Sequence, residues 1–369
     1  MKTSITFFLL LVVFLTATTA AQIKPPADKD DVIRIDTQLV DVPVAVVNEK
    51  GNAVAGLKKG DFRVLEDGKL QEIVDFSATS EPFEVALLLD TSGSTRSDLQ
   101  LIQRAANEFV SSLRSGDRVS VTAYRSDVAD GRAFAVSETL SRLTGDRAAL
   151  RDAIARAKMS GGTPFYDSII QIVEDIFRDA PAGDFRGRRA LVALTDGVDS
   201  TSSTGFAEIK EKLGKLGIVC FFIKVDTREF FEEGLLGDCQ TATRFSTAQI
   251  RRYYRSLGAK GNYEKATSFC QLGEFERLAV SKKLYEIADA EMLEVAKISG
   301  GKVFPLAELS DARDAFKSVA AELGSKYTLG YNPSNEKRDG TYRKIRVDVI
   351  GLPKATLVRA RDGYTAPTQ

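Results

Sequence analysis

The middle of the chain alternates short apolar runs with stretches of helical spacing, and this alternation constrains the fold more than any other feature. Val85–Leu89 is an unbroken apolar run, and Leu99, Ile102 and Ala106 then recur at spacings of three and four residues. A continuous apolar strand is typical of a parallel sheet covered on both faces, and the spacing is that of an amphipathic helix. The pattern predicts an α/β domain over residues 83–325 with a doubly wound, mostly parallel, Rossmann-like sheet.

The segments on either side of this domain read as β structure. Apolar residues alternate at a period of two in the N-terminal flank, at Val40, Val42, Val44 and Val46. Pro43 within this run indicates an edge strand, because proline cannot donate to a ladder. Neither flank is large enough to bury a good core alone. We therefore expect residues 32–80 and 326–369 to combine into one small β-sandwich-like domain built from both chain ends.

Residues 1–20 have the features of a secretory signal peptide. Lys2 supplies a positive charge, Phe7–Leu15 is an apolar run, and small residues lead up to Ala20. The apolar run is too short to anchor the chain in a bilayer, and no second long apolar stretch follows. We expect a secreted or periplasmic protein with no transmembrane segment after cleavage.

Residues 227–283 break the alternation and are too long for an ordinary connection, so they are predicted to be an insertion. They contain two of the three cysteines, Cys239 and Cys270. Because export permits disulfides, we predict that these two pair, with two free thiols as the alternative. Cys220 lies in an apolar run and is predicted to be a buried thiol.

The composition excludes several classes of function. The chain has no histidine, which excludes Ser-His-Asp triads, Cys-His pairs and His-ligated zinc. Its 51 basic and 51 acidic residues balance, which argues against a nucleic-acid partner. Arg251, Arg252 and Arg255 form a local basic patch beside two tyrosines, which we interpret as a solvated helix face.

Oxygen-bearing side chains gather where predicted strands end. Asp90, Ser92 and Ser94 follow the first buried strand, Thr163 precedes a helix, and Asp196 ends another buried strand. Ligands of open α/β sheets bind beyond the carboxyl ends of the strands. Carboxylates and hydroxyls suit a hard cation such as Mg²⁺. These five residues are therefore the candidate metal ligands.

Here the sequence resembles a von Willebrand factor type A domain with its metal-ion-dependent adhesion site, and in particular the bacterial exported branch of that family. The resemblance rests on D-x-S-x-S at residues 90–94, G-G-T-P at 161–164 and L-T-D-G at 194–197, and covers 83–325 apart from the insertion. It implies that Ser92, Ser94 and Thr163 bind Mg²⁺, with Mn²⁺ or Ca²⁺ possible. Asp90 and Asp196 would bind directly or through water. Because two carboxylates only neutralise the ion, an open position remains for a partner's Asp or Glu.

Other interpretations stay open at this point. The same residues could simply cap helices or form turns. The leading hypothesis is a non-enzymatic, exported module for adhesion or complex assembly. A metal-assisted hydrolase that uses Asp90 as nucleophile or base and Asp196 as a ligand is the second. A scaffold in which the metal only stiffens the domain is the third.

Overall fold

The computed structural model describes residues 39–49, 54–78, 82–93, 99–129, 132–179, 188–240, 242, 244–258, 268–323, 326–353 and 355–368. The strands before the central domain are β1 (Val40–Val47), β2 (Phe62–Glu66), β3 (Lys69–Gln71) and β4 (Ile73–Ala78). The central elements are β5 (Phe83–Leu89), α1 (Leu99–Ser112), β6 (Arg118–Ala129), β7 (Arg132–Thr144), α2 (Arg147–Ala155), α3 (Phe165–Gln171), β8 (Arg188–Thr195), α4 (Phe206–Leu216), β9 (Val219–Val225), α5 (Arg228–Glu233), α6 (Thr247–Ser256), α7 (Glu274–Ser299), β10 (Lys302–Leu306) and α8 (Ala312–Leu323). The chain then forms β11 (Lys326–Tyr331), β12 (Tyr342–Val349), β13 (Leu357–Ala360) and β14 (Gly363–Thr365).

The central domain is built on a six-stranded sheet in the order β10-β9-β8-β5-β6-β7. All neighbours run parallel except β7, which pairs antiparallel with β6. Every residue of β5 is buried. Leu87 packs into a cluster with α1, α2 and α8, whereas Leu88 packs into another with α3, α4 and α7. Helices on both faces explain the continuous apolar run and confirm the predicted doubly wound α/β fold.

The flanks form two four-stranded sheets, in the orders β13-β1-β11-β4 and β14-β12-β2-β3. Each sheet contains strands from both chain ends, and both contribute to one apolar cluster that includes Val42, Leu329, Val64 and Val347. The two ends of the chain therefore share a core, as the sequence predicted.

The prediction that Pro43 marks an edge strand is wrong. β1 is an inner strand that pairs with β11 over Val40–Ala45 and with β13 only over Val44–Val47. Proline is tolerated here because the β13 ladder begins one residue after Pro43, so this position has a neighbour on one side only.

The predicted insertion is helical and has a small core of its own. Leu235, Ile250, Phe269 and Val280 pack together with other apolar residues of α5, α6 and the start of α7. Cys239 and Cys270 form the predicted disulfide, and Cys220 is a buried thiol outside that disulfide. The 26-residue helix α7 begins at Glu274, inside the range predicted as insertion, and continues into the central domain.

Within the described ranges, no helix combines the length and the apolarity needed to cross a bilayer. The predicted signal peptide, residues 1–20, lies outside these ranges.

Candidate metal centre

Three loops meet at the carboxyl edge of the central sheet. The first loop follows β5 and is described from Asp90 to Gly93; the second, residues 160–164, precedes α3; the third, residues 195–204, follows β8. The Asp90 N–H donates to the Leu194 carbonyl at the end of β8 (2.9 Å). The Ser160 N–H donates to the Thr91 carbonyl (2.8 Å). These bonds fix the first loop to both of its neighbours.

The second and third loops are also joined directly. The Ser200 N–H donates to the Thr163 carbonyl (3.0 Å), and the Thr163 N–H donates to the Ser200 hydroxyl (2.8 Å). Thr163 is therefore held by the third loop. The helix α3 begins after Pro164, and its first N–H groups donate to side chains of the third loop, Tyr166 to Asp199 and Asp167 to Ser202, so Thr163 is not the helix cap.

Asp90 is buried and both of its carboxylate oxygens accept hydrogen bonds. Oδ1 accepts from the Ser92 N–H (2.9 Å), and Oδ2 accepts from the Thr195 hydroxyl (2.6 Å). Burial and the neighbouring carboxylate of Asp196 raise the pKa of Asp90 to about 7. Two carboxylates therefore lie near each other in a buried site, and the raised pKa of Asp90 reflects the cost of ionising both.

Asp196 is buried at the end of β8 and is oriented from two sides. Oδ1 accepts from the Val198 N–H (2.9 Å), which closes a turn, and Oδ2 accepts from the Thr227 hydroxyl (2.6 Å). The Thr227 hydroxyl in turn lies 2.8 Å from the hydroxyl of Tyr285 on α7. Gly197 permits this turn with φ of +73°, and an added Cβ would lie 2.8 Å from Met292. Asp196 and Gly197 thus do form a turn, and this turn orients the buried Asp196 carboxylate toward the loop edge.

Of the five predicted ligands, Asp90, Ser92, Thr163 and Asp196 are buried in these adjoining loops. Ser94 lies outside the described residues. That the four bind a metal stays a prediction. In the described part of the chain, no three Asp, Glu, Cys or His side chains converge as a metal cluster, so any site here depends on hydroxyl ligands.

Several residues of the site lie outside the five ligands that the sequence predicted. Thr195 and Thr227 orient the two aspartates, and Asp199 accepts from the Tyr166 N–H (3.2 Å) and from Ser202. Burial raises the pKa of Asp199 to about 6. Thr227 follows β9, the strand next to β8, so the rule that placed Asp196 at a strand end could have found it.

Tyr124 is also absent from the sequence-based set. It lies on β6 and is buried beside Thr195 and the aspartates of the site. Burial and the charges of Asp90, Asp199 and Asp196 raise its pKa. No feature of the sequence pointed to Tyr124, because only the order of the strands in the folded sheet places it beside the aspartates.

The fold and the three loops together define an α/β protein with an oxygen-rich candidate ligand site at the carboxyl edge of a doubly wound sheet. Residues 85–198 match the family model of the von Willebrand factor type A domain, so the chain contains such a domain. This range includes the four buried candidate ligands. None of the curated proteins compared with the chain matches it significantly in sequence.

The solved structures that match the chain share little sequence with it. Proximal thread matrix protein 1 from the mussel byssus is 13% identical, with a TM-score of 0.42 over 70% of this chain and 51% of that one. The chain thus spans about half the length of the mussel protein. A von Willebrand factor type A protein from Catenulispora acidiphila is 14% identical, with a TM-score of 0.40 over 91% and 75%. The von Willebrand factor domain of the type V pili tip protein Mfa5 from Porphyromonas gingivalis is 18% identical, with a TM-score of 0.27 over 35% and 44%.

Proposed function

We propose that this chain is an exported, Mg²⁺-dependent protein-binding module that serves adhesion or complex assembly and not catalysis. Asp90, Ser92, Thr163 and Asp196, with Ser94, would hold the ion. The observation that carries the proposal is the burial of two hydrogen-bonded carboxylates and two hydroxyl side chains in loops that are bonded to one another. The family match of residues 85–198 supports the same assignment.

The donor set fits a small, hard cation. All of the candidate ligands are oxygen atoms, and Mg²⁺ prefers oxygen while it usually keeps some water. The Tyr124 hydroxyl adds a buried polar group beside the carboxylates. Two aspartates would only neutralise the ion, so the bound metal would supply an electrophilic position that suits the Asp or Glu side chain of a partner protein.

The surroundings of Asp90 favour binding over hydrolysis. Both of its oxygens accept hydrogen bonds, at 2.9 and 2.6 Å, which hold the carboxylate in one orientation and occupy part of each oxygen that would otherwise attack a substrate. The chain also lacks histidine to transfer protons. The disulfide between Cys239 and Cys270 supports export, because such bonds persist in oxidising compartments.

Titration calorimetry with Mg²⁺ and Mn²⁺ tests the metal site. We expect saturable binding by the wild-type chain and loss of binding in Asp90→Asn and Asp196→Asn, because each removes one of the two charges that the cation needs. Asp314→Asn on α8 is the matched control, since this aspartate is exposed and pairs with Lys317. Wild-type chain that binds neither ion would refute the proposal.

A second experiment separates binding from catalysis. The purified chain is used to capture proteins from extracellular or periplasmic material, with Mg²⁺ and with a chelator. We expect capture that needs both the metal and Asp90. Release of phosphate or of an ester product that depends on Asp90 would favour the hydrolase, whereas metal binding without any effect on capture would favour the scaffold.

A further inference from the structure

Helix α6 of the insertion carries an unusual concentration of positive charge. Its ten residues, Thr247–Ser256, include three arginines and no acidic residue. Successive residues of an α-helix are rotated by about 100°. Arg251, Arg255 and Arg252 therefore lie, in that order, within an arc of about 100° on one side of the helix. We call these three residues the arginine stripe.

One end of the stripe lies against α3, whose first turn is hydrogen-bonded to the third loop of the candidate metal centre. Arg252 forms an ion pair with Glu291 on α7, and its guanidinium stacks on the ring of Tyr166 on α3, 5.1 Å from the centroid. The N–H of the same Tyr166 donates to the Asp199 carboxylate of the third loop (3.2 Å). Arg252 thus connects the stripe to the loop that carries Asp196.

The rest of the stripe faces solvent. Arg251 and Arg255 are exposed, and neither forms an ion pair with any acid in the described part of the chain. Two exposed cations on one side of a helix attract a segment of opposite charge, and they speed and orient the encounter with that segment.

The helix that carries the stripe is held firmly. A capping box closes its N-terminus, with reciprocal hydrogen bonds between Ser246 and Gln249 (2.9 and 3.1 Å). Ile250 is fully buried in the insertion core, and the Tyr254 hydroxyl donates to Glu276 on α7 (2.5 Å). The arginines are therefore presented from a rigid element, which lowers the entropy cost of binding.

We propose that the arginine stripe is a second contact for the partner: an acidic segment of the partner protein lies along α6 while one of its carboxylates reaches the metal. The inference rests on the proposed function, because it assigns a partner of stated charge to that same site. It gives the insertion a role in recognition, since a bound metal alone would accept any accessible carboxylate.

The test compares the wild-type chain with Arg251→Gln/Arg255→Gln. Glutamine keeps the length of the side chain and the helix propensity, and Arg252 is left intact because it packs on Tyr166. The charge-matched control is Arg104→Gln/Arg313→Gln on α1 and α8, which cover the opposite face of the sheet. The probe is a fluorescein-labelled peptide of alternating Asp and Ser, followed by fluorescence anisotropy with Mg²⁺ and with a chelator.

We expect the stripe variant to bind the peptide about fivefold more weakly and with a shallower dependence on salt, while the control binds as wild type does. Mn²⁺ affinity by calorimetry should be the same in all three proteins. Equal peptide affinity in the stripe variant and the wild type would overturn the inference. So would stronger binding of the wild type to vesicles containing phosphatidylserine than to the peptide.

The two proposals fail separately. If the chelator leaves peptide affinity unchanged but the stripe variant binds the peptide more weakly, the contact with the stripe is supported and the metal-dependent function is refuted. If Mg²⁺ strengthens peptide binding but the stripe variant has the same peptide affinity as the wild type, the metal-dependent function is supported and the contact with the stripe is refuted.

Discussion

At the scale of single residues, Thr195 connects the two aspartates of the candidate metal centre. Its hydroxyl donates to Asp90 (2.6 Å) and accepts from the Gly197 N–H (2.8 Å) in the turn that aims Asp196. Thr195→Val keeps the shape but leaves both groups buried without this partner. We expect the free energy of unfolding to fall by about 1–3 kcal/mol, measured by urea denaturation.

Thr122→Val on β6 is the matched control for this prediction. Thr122 is as deeply buried as Thr195, but its hydroxyl has no hydrogen-bond partner among the described residues. Replacing an unsatisfied hydroxyl by a methyl group should be neutral or stabilising. An equal loss of unfolding free energy in the two variants would show that the hydrogen bonds of Thr195 do not stabilise the fold.

Asp167 on α3 makes stability depend on pH. Burial opposes its charged form, but hydrogen bonds from Ser203 and Thr204 in the third loop outweigh burial and lower the pKa of Asp167. Its stabilisation is therefore complete above the unfolded pKa of about 3.9 and is lost as the pH falls through the lower folded value. We expect the difference in unfolding free energy between the wild type and Asp167→Asn to shrink in acid. A difference that stays constant down to acid unfolding would contradict this assignment.

At the scale of elements, the contact between β9 and β10 depends on a glycine. An added Cβ at Gly301 would lie 1.8 Å from the carbonyl oxygen of Cys220 on β9. Gly301→Ala should therefore push the edge strand β10 away and cost at least about 2 kcal/mol, measured as a loss of unfolding free energy. Gly214→Ala within α4 is the control, because its Cβ meets nothing within 4 Å and alanine should stabilise the helix by up to about 1 kcal/mol.

The elements also explain which parts of the fold could be read from sequence. Val85–Leu89 was readable because a strand buried on both faces must be apolar throughout. The start of α7 could not be predicted from the sequence pattern, because Val280 packs in the insertion core whereas Met292 packs against the central sheet. Its apolar residues therefore face two partners and do not follow one stripe. The disulfide was predicted correctly because export and position in the insertion left few other roles for two cysteines.

The candidate site was readable only in part, for a similar reason. Asp90 and Asp196 directly follow buried strands, so the general rule for open sheets places them at one edge. Thr227 follows the end of β9, so the same rule could have included it. Tyr124 lies within β6 and reaches the site only because β6 is next to β5 in the folded sheet, and nothing local marks it.

At the scale of the whole molecule, Glu66 ties the two ends of the chain together. It is buried on β2 and accepts from the hydroxyls of Tyr331 on β11 (2.7 Å) and Tyr364 on β14 (3.0 Å), while Arg343 on β12 lies 3.4 Å away. Glu66→Leu would leave the Arg343 charge buried without its partner. We expect this change to cost about 3–5 kcal/mol in thermal or urea unfolding.

The double variant Glu66→Leu/Arg343→Met tests the cause of that loss. Because it removes both buried charges, it should be more stable than Glu66→Leu alone. A double variant that is no more stable than the single one would mean that the two tyrosine hydrogen bonds, and not the ion pair, carry the energy.

The register between β4 and β11 has a consequence for how such a molecule can be assembled. Ala78, where the chain leaves for the central domain, is paired directly with Tyr327, where it returns. Directly opposed residues of antiparallel strands have Cα atoms about 5 Å apart, a gap that a two-residue turn closes. The α/β domain is therefore inserted into the β-sandwich through two adjacent chain ends. It could be deleted and the ends joined by a tight hairpin, or replaced by another domain whose termini lie close together.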